Sequence, residues 1–90
     1  MKKPTVLMKV RLGMENTSTK RTRHYRDNIE LPAPLLLSIV KYENDEGYYL
    51  LYLDSDGNEL TDTYHASVEG AMAQAEFEFR VRPDQWERTD

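Results

Sequence analysis

Tyr48-Tyr49-Leu50-Leu51-Tyr52-Leu53-Asp54-Ser55-Asp56-Gly57-Asn58 is the stretch that decides the fold. A short run of aromatic and aliphatic residues closed by an Asp-Gly signal reads as a buried strand entering a hairpin turn. Two registers are open at that turn. A two-residue type I′ loop would set Asp54 opposite Glu59, placing like charges face to face. A three-residue loop with Gly57 as a bulge pairs Asp54 with Asn58, and this is the register expected. In either case the strand over 48–54 carries two apolar faces, Tyr48/Leu50/Tyr52 and Tyr49/Leu51/Leu53.

Neighbouring segments extend the same pattern. Residues 35–43 (LLLSIVKYE) are nearly continuous apolar, which predicts a central strand covered on both sides. Asn44-Asp45-Glu46-Gly47 forms the turn between them. Residues 58–64 give a more polar strand, placed nearer an edge. Upstream, residues 4–12 alternate, with Val6, Met8, Val10 and Leu12 on one side. Residues 13–23 have no apolar period and predict a long turn or mobile loop. Tyr25, Asp27, Ile29 and Leu31 share one face of a second strand that Pro32 ends, and Pro32-Ala33-Pro34 is a stiff connector.

A helix follows the last strand. Ser67 suits the N-cap and Glu69 the first turn, where the helix dipole favours an acid. Val68, Ala71, Met72, Ala75 and Phe79 form one stripe, and Pro83 limits the helix to about residue 81. Gly70, Ala73, Phe77 and Val81 form a weaker stripe roughly opposite. Three things can account for Phe77 there: a tail carrying Trp86 folded back over it, a partner or second copy, or an uncovered aromatic. The expected architecture is one α+β domain over residues 1–90. It is an antiparallel meander sheet of about five strands, with one C-terminal helix packed on one face (β-β-β-β-β-α).

Much is excluded. With no cysteine among 90 residues there is no disulfide framework, Cys-based zinc site or thiol nucleophile, and a small unstapled domain points to a cytoplasmic location. Lys9 and Arg11 break the first apolar run, so it reads as a strand instead of a signal peptide. No stretch reaches the ~18 apolar residues of a membrane span. Asp54-Ser55-Asp56-Gly57 resembles part of a calcium loop, but Tyr52 and Thr63 fall where carboxylates are needed. His24 and His65 lack metal-ligand spacing. Asp62, Tyr64 and His65 offer an acid, a phenol and a base without a nucleophile elbow, and Ser67 is better read as a cap. The expectation is no catalytic residue, no metal and no cofactor.

Charge supplies the functional lead. Residues 1–26 carry eight bases against the single acid Glu15, a net of +7, and residues 27–90 carry four bases against fifteen acids, a net of -11. Within the basic half, Lys20, Arg21, Arg23, Tyr25 and Arg26 cluster with His24, able to neutralise phosphates and stack a base. Against a nucleic-acid role stands the pI of about 5.1. An acidic protein partner is a further possibility. The plainest reading is that the basic segment balances the acidic body, within one molecule or between two.

The segments 48–57, Thr61-Asp62-Thr63-Tyr64-His65 and Ala75-Glu76-Phe77-Glu78-Phe79-Arg80-Val81-Arg82-Pro83-Asp84-Gln85-Trp86 carry a resemblance. They are similar to the C-terminal half of small bacterial proteins ending in AEFEF-x-V-x-P-x-x-W, a group with no assigned activity. The likeness covers roughly residues 48–87. It implies a bacterial cytoplasmic origin and transfers no site residues.

The function expected is therefore non-enzymatic: a protein-interaction or self-associating module, plausibly a homodimer, with no membrane partner. Its contact residues would be Tyr48, Leu50 and Tyr52 on a spare sheet face (or the alternate face of that strand), with Phe77 and Trp86 beside the helix. The alternative is nucleic-acid binding through Lys20, Arg21, Arg23, Tyr25 and Arg26.

Overall fold

The structure, a computed structural model, describes residues 4–13, 16 and 24–89. The chain forms an antiparallel sheet with one helix lying on it. Strands β1 (Thr5–Arg11), β4 (Leu36–Lys41), β5 (Tyr48–Leu53), β6 (Glu59–His65) and β7 (Glu87–Arg88) build a five-stranded sheet in the order β6-β5-β4-β1-β7. The helix α1 spans Val68–Phe79. The α+β class and the central place of β4 and β5 match the sequence reading.

The strand membership differs from the meander. Residues 25–31 do not form a single strand beside β1. Tyr25–Arg26 (β2) and Ile29–Glu30 (β3) fold on each other as a separate two-stranded hairpin, and β1 pairs directly with β4. The cause is local: Asp27 and Asn28 both adopt positive φ, 53° and 68°, which turns the chain as a type I′ loop does. The fifth strand comes from the C-terminal tail, where Glu87 and Arg88 pair with Lys9 and Met8. Of the loop expected over 13–23, only Gly13 and Asn16 fall within the described residues.

One bulge corrects the first strand. The β1–β4 register shifts between Val6 and Met8, so Val6 lies opposite Val40, on the far face, and is 40% exposed. Leu7 packs against the core instead. The Asp-Gly hairpin takes the bulged register: the Asp54 amide donates to the Asn58 carbonyl (2.9 Å), and Gly57 sits at φ 84°.

The core lies between the sheet and α1. Met8, Val10, Leu37, Ile39, Leu50 and Tyr52 rise from the sheet to meet Ala71, Ala75 and Phe79 of the helix. Ser67 caps the helix by accepting from the Gly70 amide at 3.0 Å. Arg80 ends it in the left-handed region (φ 56°), two residues short of the expected limit. That turn reverses the chain and drops Val81 and then Trp86 into the core, both buried. Asn16 fastens this corner, donating to the Arg80 carbonyl (3.4 Å) and to Gln85 Oε1 (3.2 Å).

Candidate functional site

Backbone parity assigns each residue of the sheet to a face. Tyr48, Leu50 and Tyr52 point at the helix, so the face expected to be spare is the one α1 covers. Leu50 and Tyr52 are fully buried, and Tyr48 is half-buried beneath the Lys41 ammonium, 5.3 Å from its ring centroid. Trp86 is core as well. Its tail folds back along β1 and the far edge, and Phe77 is 44% exposed. The alternate face of β5, with Tyr49, Leu51 and Leu53, is the one that no helix overlies. Of the basic segment, Lys20, Arg21 and Arg23 lie outside the described residues. Tyr25 is exposed, and Arg26 donates to the Leu60 carbonyl at 2.5 Å.

On this outer face a row of tyrosines has formed. Tyr42 meets Tyr49 edge-on at 5.2 Å, and Tyr49 meets Tyr64 at 5.1 Å. Gly47 makes room for the row: a Cβ there would fall 2.1 Å from the Tyr64 ring. The Tyr49 hydroxyl donates to Asp45 Oδ2 at 3.0 Å, and that bond holds its pKa above the ordinary tyrosine value. At the margin, Glu59 is raised above the usual carboxylate range by burial and then by the Asp62 carboxyl beside it. Asp62 and Tyr64 lie on this outer face while His65 lies under the helix. The acid, phenol and base adjacent in sequence are thus split across the sheet.

The two edges of the sheet are treated differently. At β1, the short β7 pairs with Met8 and Lys9, and the Thr89 amide reaches the Leu7 carbonyl (3.2 Å). At β6, a seven-residue strand, the pairing among the described residues is with β5 on one side only. Leu53 gives its carbonyl to Leu35, toward β4, so Tyr52, Leu50 and Tyr48 turn their amide groups toward β6. Their partners Thr61, Thr63 and His65 are thereby used up. Leu60, Asp62 and Tyr64 turn their N–H and C=O groups outward, and among the described residues Arg26 caps the first of these carbonyls. The edge carries no proline or lysine; its register shifts once, at Leu60 between Glu59 and Thr61, and from Thr61 to His65 the pairing is unbroken.

A polar network unforeseen in the sequence lies under the helix. Glu78 is 2% exposed and accepts from Tyr52 Oη and from Gln74 Nε2 (2.7 Å), while His24 Nε2 stands 3.0 Å from its other oxygen. Tyr52 continues to Thr63 (3.4 Å), and Thr63 to His65 Nε2 (2.8 Å). The helix wheel held the signal: Glu78 stands seven residues after Ala71 and three after Ala75, on the buried stripe. A carboxylate placed there must find donors. His24 ties the β2–β3 hairpin to the body through it, over a cavity of about 90 Å³ whose lining includes Pro32, Pro34, Leu60 and Phe79. Chemically, the carboxylate orients an imidazole and anchors a phenol, with no serine among its hydrogen-bond partners in the described residues. Among the described residues no group of three or more His, Asp or Glu is placed to hold a metal.

Burial, and then the bond to Glu78, raise the Tyr52 phenol well above its ordinary value. Burial lowers His65, with the Glu78 charge opposing. A histidine whose native pKa is depressed stays neutral while the unfolded chain takes up a proton, so its contribution is lost as pH falls below about 6.5. Wild type should therefore lose stability relative to His65→Gln as pH is lowered from 7.5 to 5.5, which urea denaturation at several pH values would measure. Parallel curves would show that His65 titrates normally.

No helix among the described residues is long and apolar enough to cross a membrane. Comparison with protein-family models, curated proteins and solved structures finds no match for this chain.

Proposed function

We propose that this protein is a non-enzymatic binding module of the bacterial cytoplasm, and that the partner it binds is a second copy of itself. The observation that carries the reading is the asymmetry of its sheet. One face is sealed by α1 and one edge by β7, while the other face carries Tyr42, Tyr49 and Tyr64 and the other edge is a seven-residue strand with no second strand beside it among the described residues. Tyr64 is exposed while Tyr42 and Tyr49 are half-buried, and an exposed aromatic beside unpaired strand backbone is a combination that interfaces use. The contact set expected from the sequence moves accordingly, from Tyr48, Leu50, Tyr52 and Trp86 to Tyr49, Tyr64 and the β6 edge, with Phe77 retained.

Light scattering over a dilution series is the test. The mass should approach that of two chains at about 100 μM and fall toward one chain at about 1 μM, the range of a modest non-obligate interface. A single-chain mass throughout would overturn the proposal.

A further inference from the structure

Resting on that reading, we infer that two copies join edge to edge through β6, antiparallel about a two-fold axis at Thr63, to make one continuous ten-stranded sheet. The register follows from which groups the edge has left to offer. A two-fold axis normal to the sheet sets residues of equal parity opposite each other, so the axis passes through a residue position. Centred on Asp62, it would put two Asp62 carboxylates directly opposite and would use Leu60, whose carbonyl Arg26 already holds. Centred on Thr61, it would again draw on Leu60. Centred on Thr63, it pairs Asp62 with Tyr64 twice over and Thr61 with His65. The outward backbone groups of Asp62 and Tyr64 are then all used. The two carboxylates fall back to diagonal positions.

The helix gives independent support. Gly70 abuts His65 of β6, with a Cβ there coming 3.7 Å from His65 Cβ. At 100° per residue, Phe77 lies 20° from Gly70 around the wheel and Ala73 60° from it, away from the buried side. The weak stripe therefore sits on the flank of α1 that overhangs the open edge, where Phe77 is 44% exposed. Because α1 starts beside His65 and reaches the level of Thr61 and Tyr52 at Glu78, Thr63 lies level with its middle. The same axis that pairs β6 with its copy brings the Gly70 and Ala73 flank of each helix toward that of the other, and small residues there let the two helices approach.

The chain contains no cysteine, so one introduced thiol reports on the register. Thr63 would form a non-hydrogen-bonded pair with itself, Cα atoms about 4.5 Å apart, within disulfide reach. The two Thr61 positions would stand roughly 13 Å apart along the strand. Thr63→Cys should oxidise to a covalent dimer while Thr61→Cys stays uncross-linked. Separately, Asp62→Pro removes an outward N–H without touching the β5 ladder, and should weaken dimerisation by about tenfold or more while the monomer remains folded by circular dichroism. If wild type dimerises but Thr63→Cys does not cross-link in preference to Thr61→Cys, or Asp62→Pro dimerises as wild type does, the β6 register is overturned and self-association stands. If wild type is a monomer at every concentration, both fall.

Discussion

Glu78→Ala is expected to remove about 3–5 kcal/mol of folding stability, more than half of what a domain near the low end of the usual range possesses. The carboxylate is buried and serves three donors at once: the Tyr52 hydroxyl, the Gln74 amide and the His24 ring. Truncation opens a void and leaves the Tyr52 hydroxyl without its strongest partner, in a place where burial has already raised its pKa. Glu78→Gln keeps the shape and an accepting oxygen, so it should cost about 1–2 kcal/mol. Urea denaturation reads both. A loss below about 1 kcal/mol for Glu78→Ala would mean that the donors find water in the adjoining cavity, and that the network is not what fastens the helix.

The second large effect separates the two sheet faces. Leu50 is fully buried beneath α1, and Leu50→Ala should cost about 3–4 kcal/mol through lost transfer energy and a residual cavity. Leu53, half-buried on the outer face, should cost under about 1.5 kcal/mol when truncated. Equal losses at the two positions would mean that the outer face is covered as thoroughly as the inner one, leaving no surface for a partner.

How much of this the sequence disclosed depends on whether the deciding interaction is local. The Asp56-Gly57 register was legible because charge opposition at Asp54 and Glu59 excluded the alternative within one hairpin. Ser67 was legible as a cap for the same reason, and so was the central position of β4. The Leu7 bulge was not, because an unbroken alternation of Val6, Met8 and Val10 conceals one extra residue until Val40 and Ile39 define the partner strand. The β2–β3 hairpin hid behind Tyr25, Asp27 and Ile29, whose period of two continues formally through the turn. Only the positive φ of Asp27 and Asn28 reveals it.

Site residues divide the same way. Which face of β5 is covered depends on where one helix lands, a tertiary fact no alternation encodes, so Tyr48/Leu50/Tyr52 and Tyr49/Leu51/Leu53 were equivalent beforehand. Phe77 was legible as an anomaly on the weak stripe, although the flank it occupies became clear only beside His65. His24 and His65 look unrelated across forty residues of chain. They belong to one network only because Glu78 reaches the sheet between them.

Where Asp62 and Tyr64 pair with a second copy, their amide protons report on it directly. Thr61, Thr63 and His65 donate inward to β5 and serve as internal standards within the same strand. Hydrogen exchange followed by NMR, at high protein concentration and after dilution, should show the Asp62 and Tyr64 amides protected when concentrated and exchanging freely when dilute, with the three standards unchanged. Free exchange of Asp62 and Tyr64 at every concentration would contradict the account.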